Sequence, residues 1–229
     1  MNPLEVFEHP KDHDTAVPTR LGTQLDYILL DGSSSMHSKW WDSLVAVESY
    51  VKAIRDGNVN TRIIVKQFAG GDLDCLCRDT FIGQWESLID KPFGILGGGT
   101  PLYDAIQIMG REMQKLDPPR ASAVIITDGE EAGSRFTTVD QAKAILDWMR
   151  AKGWQVTFIG ANFNNSKQAG LLGGQKGTMI GVSTARLTDA AAALGKKRAN
   201  YGLYGTDMHY TDDEQQRFGG FLSGPSSNG

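Results

Sequence analysis

The stretch YILLDGSSSMHSKWW, Tyr27 to Trp41, sets Asp31, Ser33 and Ser35 at alternate positions directly after an apolar run. Alternate side chains of an extended segment share a face, so one carboxylate and two hydroxyls aim at one point. Two further stretches offer oxygens of the same kind: Thr100 in LGGGTPLYDAI (96–106) and Asp128 in VIITDGEE (124–131). Together these are hard ligands, suited to Mg²⁺ or Mn²⁺ and unsuited to zinc, which would want His or Cys. Because hydroxyls outnumber carboxylates, such a cation stays electron-poor and open to an anionic oxygen from outside. Taken alone, DGSSS reads equally well as a helix N-cap or a turn. What favours metal chemistry is that Thr100 and Asp128 sit in loops that can reach the same place.

The elements that must position these residues are legible from periodicity. LDYILL (25–30), RIIVKQF (62–68), AVIITD (123–128) and WQVTFIG (154–160) are rich in Ile, Val and Leu and read as buried strands. Between them, Trp40, Leu44, Val47, Val51 and Ile54 recur at helical steps, as do Leu102, Ala105, Ile106, Met109, Met113 and Leu116. Thr138 and Gln141 form a capping-box pattern ahead of Ala142, Ile145, Leu146 and Met149, and Gly153 stops that helix. The alternation predicts an α/β fold, a Rossmann-like three-layer sandwich with a mostly parallel central sheet and helices on both faces. CLCRDTFIG (75–83) is expected to add one short antiparallel edge strand. Ligands of such sheets bind outside the carboxyl ends of the strands, where Asp31-Gly32 and Asp128-Gly129 fall.

The chain of 229 residues, 40% hydrophobic, suits one domain with appendages: an N-terminal extension over 1–21, a domain over 22–199 with a last helix at about 184–199, and a polar, partly mobile C-terminal tail over 200–229. With 23 Lys and Arg against 27 Asp and Glu, the formal charge of −4 gives no field that gathers nucleic acid or anionic lipid. No stretch approaches the roughly 18 to 20 apolar residues of a membrane span, and the start lacks a signal-peptide pattern, so a cytoplasmic setting, or one within a phage particle, is expected. The two cysteines, Cys75 and Cys77, are too few for a disulfide framework. With His9 and His13 they imitate a zinc set, and neighbouring buried thiols are the plainer reading.

In the combination D-x-S-x-S at 31–35, a glycine-rich loop bearing Thr100, and Ile126-Thr127-Asp128-Gly129, the sequence resembles the von Willebrand factor A domain. That resemblance implies a metal-ion-dependent adhesion site in which Ser33 and Ser35 hold Mg²⁺ directly, with Mn²⁺ or Ca²⁺ as substitutes. It implies that Thr100 joins them in the ligand-ready state, that Asp31 and Asp128 act largely through water, and that a partner's Glu or Asp takes the remaining position. GGGTPLYDAI, VIITDGEE and FIGANFNNSKQAGLLG look like the small bacterial and phage proteins of this class. Ser34 stands where the first loop often has Gly, which alters the rim; Ser34, His37, Trp41 and Glu130 are the candidate partner contacts.

Other chemistries fit less well. A nucleophile elbow wants G-x-S-x-G, whereas Gly32-Ser33-Ser34-Ser35-Met36 ends in methionine and no strand-end His is evident. A phosphoesterase using Asp31 and Asp128 would resemble D-x-D, yet the second carboxylate is replaced by Ser33. Glycines 97–99 lack the G-K-[ST] of a phosphate cradle. Asp104 and Glu130 are expected to add negative field or cap backbone, and Lys196-Lys197-Arg198 to complement a helix dipole. The expected function is therefore a metal-dependent protein-protein interaction module and not an enzyme. The alternative is an assembly subunit whose site receives a neighbouring copy's carboxylate, such as one from TDDE (211–214).

Overall fold

A computed structural model describes residues 23–70, 72–91, 98–161 and 170–219, with the backbone alone for 72–75. Its strands are β1 (Gln24–Asp31), β2 (Thr61–Ala69), β3 (Asp72–Phe81), β4 (Ala121–Thr127), β5 (Gln155–Ala161) and β6 (Met179–Val182). They form one six-stranded sheet in the order β3-β2-β1-β4-β5-β6, parallel throughout except for the antiparallel β2–β3 pair. The expected architecture is the observed one. The antiparallel edge is longer than expected: it begins at Asp72, and the buried ion pair Arg62–Asp79 (2.7 Å) ties it to β2.

The helices are α1 (Trp40–Asp56), α2 (Leu102–Leu116), α3 (Val139–Ala151), α4 (Thr184–Tyr204) and α5 (Asp212–Phe218). Alternate β1 residues feed two cores. Ile28 and Leu30 join Trp40, Leu44, Val47 and Val51 of α1 and Leu187 and Leu194 of α4. Leu25, Tyr27 and Leu29 join Ile106, Met109 and Met113 of α2 and Ile145 and Leu146 of α3. Every apolar position of the anticipated α1, α2 and α3 stripes is buried. The capping box of α3 closes as its residue types dictate, Gln141 N–H donating to Thr138 Oγ1 (3.3 Å) and Thr138 N–H to Gln141 Oε1 (2.8 Å).

Two expectations are corrected at the C-terminal end. The last helix does not stop near 199 but runs to Tyr204, so the boundary drawn between 199 and 200 falls inside it. The following residues also join the fold: Met208, Tyr210 and Phe218 are buried, Tyr210 Oη donates to the Ala190 carbonyl (2.9 Å), and Gln215 donates to the Met179 carbonyl on edge strand β6 (2.9 Å). A few large side chains dock this polar segment, which is why apolar periodicity does not reveal it. Residues 220–229, 1–22 with His9 and His13, Gly97 and the side chain of Cys75 lie outside the described residues; Cys77 is half-buried.

The cluster Lys196-Lys197-Arg198 is not a dipole-complementing surface patch. Arg198 is fully buried more than a turn before the end of α4, with its Nε donating to Asp26 Oδ1 (2.7 Å) and its Nη1 to Gln24 Oε1 (3.0 Å). Tyr50 Oη (2.7 Å) and Thr61 Oγ1 (2.7 Å) donate to the same Asp26 carboxylate. Here α4 also comes close to α1: a Cβ on Gly195 would sit 2.5 Å from the Tyr50 carbonyl oxygen. No helix of the described residues is long and apolar enough to cross a membrane.

Candidate functional site

The winding of the sheet reverses between β1 and β4, and the carboxyl ends of those adjacent strands bring the first and third motifs together. Asp31 is the last residue of β1 and is fully buried. Its Oδ1 accepts the Ser33 backbone N–H (2.8 Å) and its Oδ2 the Thr127 hydroxyl (2.6 Å). Burial pushes the Asp31 carboxyl above the usual carboxylate range; the bonds from Thr127 and Ser33 pull it down, and the Asp128 charge raises it again. Ser33 Oγ lies 3.0 Å from Ser35 Oγ, and Ser35 Oγ donates to Asp128 Oδ1 (2.7 Å). Asp31, Ser33, Ser35 and Asp128 are thus joined in one bonded chain.

Thr100 arrives from the α2 side. It forms an antiparallel bridge with Ala132, Thr100 N–H donating to the Ala132 carbonyl (2.5 Å) and Ala132 N–H to the Thr100 carbonyl (3.0 Å). Its hydroxyl lies 3.7 Å from where a Cβ on Gly129 would be, which sets it beside the Asp128-Gly129 turn. Asp104, as expected of a backbone cap, is buried and accepts N–H groups from Arg135, Phe136 and Thr137. Glu131 accepts from the N–H groups of Tyr103 (3.0 Å) and Ser134 (2.7 Å). These carboxylates lash the loop after β4 to the first turn of α2, so the segments that carry Thr100 and Asp128 are held together.

This arrangement needs a glycine before Thr100. Gly99 has φ of +100°, and a Cβ there would stand 2.5 Å from the Ala132 carbonyl oxygen. Gly99→Ala is expected to lower the unfolding free energy by about 1 to 3 kcal/mol, measured by urea denaturation. A loss under about 0.5 kcal/mol would mean that the Thr100–Ala132 bridge relaxes freely.

Of the rim candidates, Ser34, His37 and Glu130 are exposed, and Trp41 is 57% exposed while Trp40 beside it is buried. Sequence reasoning missed Lys39. Its Nζ donates to Asp128 Oδ2 and lies 3.5 Å from the Ser35 carbonyl oxygen. The available signal was its place: Lys39 is the N-cap of α1, where the helix dipole favours anions. TDDE lies elsewhere, starting α5, with Glu214 accepting from Thr211 N–H (2.7 Å) and paired with Lys197 (2.9 Å).

The donor set fits a hard cation. An octahedron with Mg²⁺–oxygen bonds of about 2.1 Å has neighbouring ligands about 3 Å apart, and the two serine hydroxyls are at 3.0 Å. Among the described residues no three His, Cys, Asp or Glu side chains cluster as a metal group.

No protein-family model matches the chain, and neither does any curated protein. Solved structures do. The pilus adhesin SpaC from Lactobacillus rhamnosus GG, open conformation, matches with TM-score 0.59 at 11% identity, over 81% of this chain and 30% of that one. A von Willebrand factor type A protein from Catenulispora acidiphila matches with TM-score 0.54 at 13% identity, over 78% of this chain and 43% of that one. The manganese-loaded Plasmodium vivax TRAP protein matches with TM-score 0.51 at 14% identity, over 73% and 71%. The chain therefore corresponds to less than half the length of the first two, and at these identities the likeness is one of fold. The sheet order, the two helical layers and these neighbours together give the protein the fold of von Willebrand factor type A domains.

Proposed function

We propose that this protein is a protein-protein interaction module whose site holds a divalent cation, Mg²⁺ in the cell, and through it the Glu or Asp of a partner. Ser33, Ser35 and Thr100 would hold the cation directly, with Asp31 and Asp128 acting through water. The carrying observation is the Ser33–Ser35 hydroxyl pair at octahedral-edge spacing, bonded onward to Asp128 and flanked by the buried Asp31. When bound, the cation supplies an electrophilic contact for a carboxylate; the protein supplies its position and an exposed rim of Ser34, His37, Trp41 and Glu130. The fold it shares with a pilus adhesin and with a manganese-loaded protein supports both halves of this reading. The donor set also favours an interaction role over turnover, since Ser33 stands in the place of a second catalytic carboxylate.

The test is affinity capture from the source lysate with Mg²⁺ and again with EDTA, using wild type and Ser33→Ala and reading by mass spectrometry. A protein retained only by wild type with Mg²⁺ is the expected result. Retention indifferent to both metal and Ser33 would sink the metal-bridged mechanism.

A further inference from the structure

Lys39 closes the 3-10 turn, Ser34–Lys39, that begins within the first motif, and its ammonium reaches into the oxygen cluster. The Asp128 side chain is 1% exposed and that of Lys39 18%, so this is a largely buried ion pair. Asp128 divides its two oxygens: Oδ1 accepts from Ser35 Oγ (2.7 Å), and Oδ2 accepts from Lys39. The lysine sits at the N-terminal end of α1, where the helix dipole disfavours a cation, and ordering its long stem costs rotamer entropy. The Asp128 carboxylate offsets both.

We propose that Lys39 is a tethered cation that competes with the divalent metal for Asp128, weakening metal binding while leaving the loaded site positive toward a partner's carboxylate. This inference rests on the function proposed above. Charge counting over Asp31, Asp128 and Lys39 gives −2 + 1 = −1 before a divalent cation enters and −1 + 2 = +1 afterwards. Without Lys39 the same count runs from −2 to 0. The lysine therefore acts in opposite directions on the two binding events: it repels the metal and attracts the carboxylate. A site built this way holds its cation less tightly yet favours an acidic partner once loaded.

The experiment is calorimetric titration of Mn²⁺ into the full chain as wild type, Lys39→Met and Lys39→Arg. Lys39→Met is expected to bind Mn²⁺ about tenfold more tightly, a difference of about 1.4 kcal/mol, and Lys39→Arg to stay close to wild type. A second readout is the rise in Tm on adding Mn²⁺, larger for Lys39→Met because the metal replaces the lost partner of Asp128. If Lys39→Met does not fold without metal, Lys39→Gln, which keeps a donor for Asp128, carries the same expectation. Binding by wild type with no gain in the charge-removing variant overturns this inference alone. Absence of Mn²⁺ binding in every form overturns it together with the proposed function.

Discussion

Arg198→Met will lower the unfolding free energy by about 3 to 5 kcal/mol, because it strands a fully buried carboxylate. Arg198 and Asp26 are both inaccessible to solvent. Burial, the largest single influence, lowers the Arg198 pKa, but the Asp26 charge, the hydrogen bond to Asp26 and the neighbouring tyrosines together outweigh it and hold the guanidinium above its ordinary value. Burial, then the Asp26 charge, push the Tyr50 hydroxyl well above its usual range, so it stays protonated and donates to Asp26. The network ties α4 to β1, α1 and β2 at the end of the sheet opposite the oxygen cluster. Urea denaturation is the measurement, with Arg198→Met/Asp26→Leu as the informative companion. Removing both charges is expected to recover most of the loss, since apolar replacement of a whole buried pair is often neutral. A single-variant loss below about 1 kcal/mol would show that α4 is held by its apolar contacts alone.

Ser33→Ala should weaken Mn²⁺ binding at least about a hundredfold, or about 2.7 kcal/mol, with Tm unchanged in the absence of metal. The reason lies in what each side chain does for the fold. Asp31 ties down the Ser33 N–H and the Thr127 hydroxyl, so Asp31→Ala disturbs structure as well as ligation. The Ser33 hydroxyl contacts Ser35 and the Asp31 carboxyl, both members of the cluster, so its loss removes a proposed ligand while the Asp31 bonds to the Ser33 N–H and the Thr127 hydroxyl remain. Calorimetric titration reads the affinity and a thermal melt reads the fold. Retained wild-type affinity in Ser33→Ala would exclude Ser33 from the ligand set and with it the octahedral edge on which the proposed function stands.

Much of the site was legible before any fold was known, for reasons that differ by residue. Asp31, Ser33 and Ser35 lie within one turn, so their common direction is a matter of local backbone geometry. Asp128 could be placed with them because the strand pattern implies neighbouring carboxyl ends. Lys39 could not, since its side chain can swing to many positions, and only the packed start of α1 brings it to Asp128. The Arg198 pairing was misread for a related reason. A basic run near an expected helix end has a cheap local explanation in the dipole, whereas its true partner, Asp26, is 172 residues away. Edge strand β6 was missed because its burial pattern spans just four residues, Met179–Val182.

By itself the sequence determined the alternation of strands and helices, their buried faces, the α3 cap and the oxygen-rich loops, all set by periodicity or by contacts within a few residues. Only the tertiary structure decided which buried charges pair, how the segment to Phe218 docks, and that a lysine stands among the proposed metal ligands. Those outcomes depend on long-range packing, which brings distant side chains together and excludes the water that would otherwise solvate them.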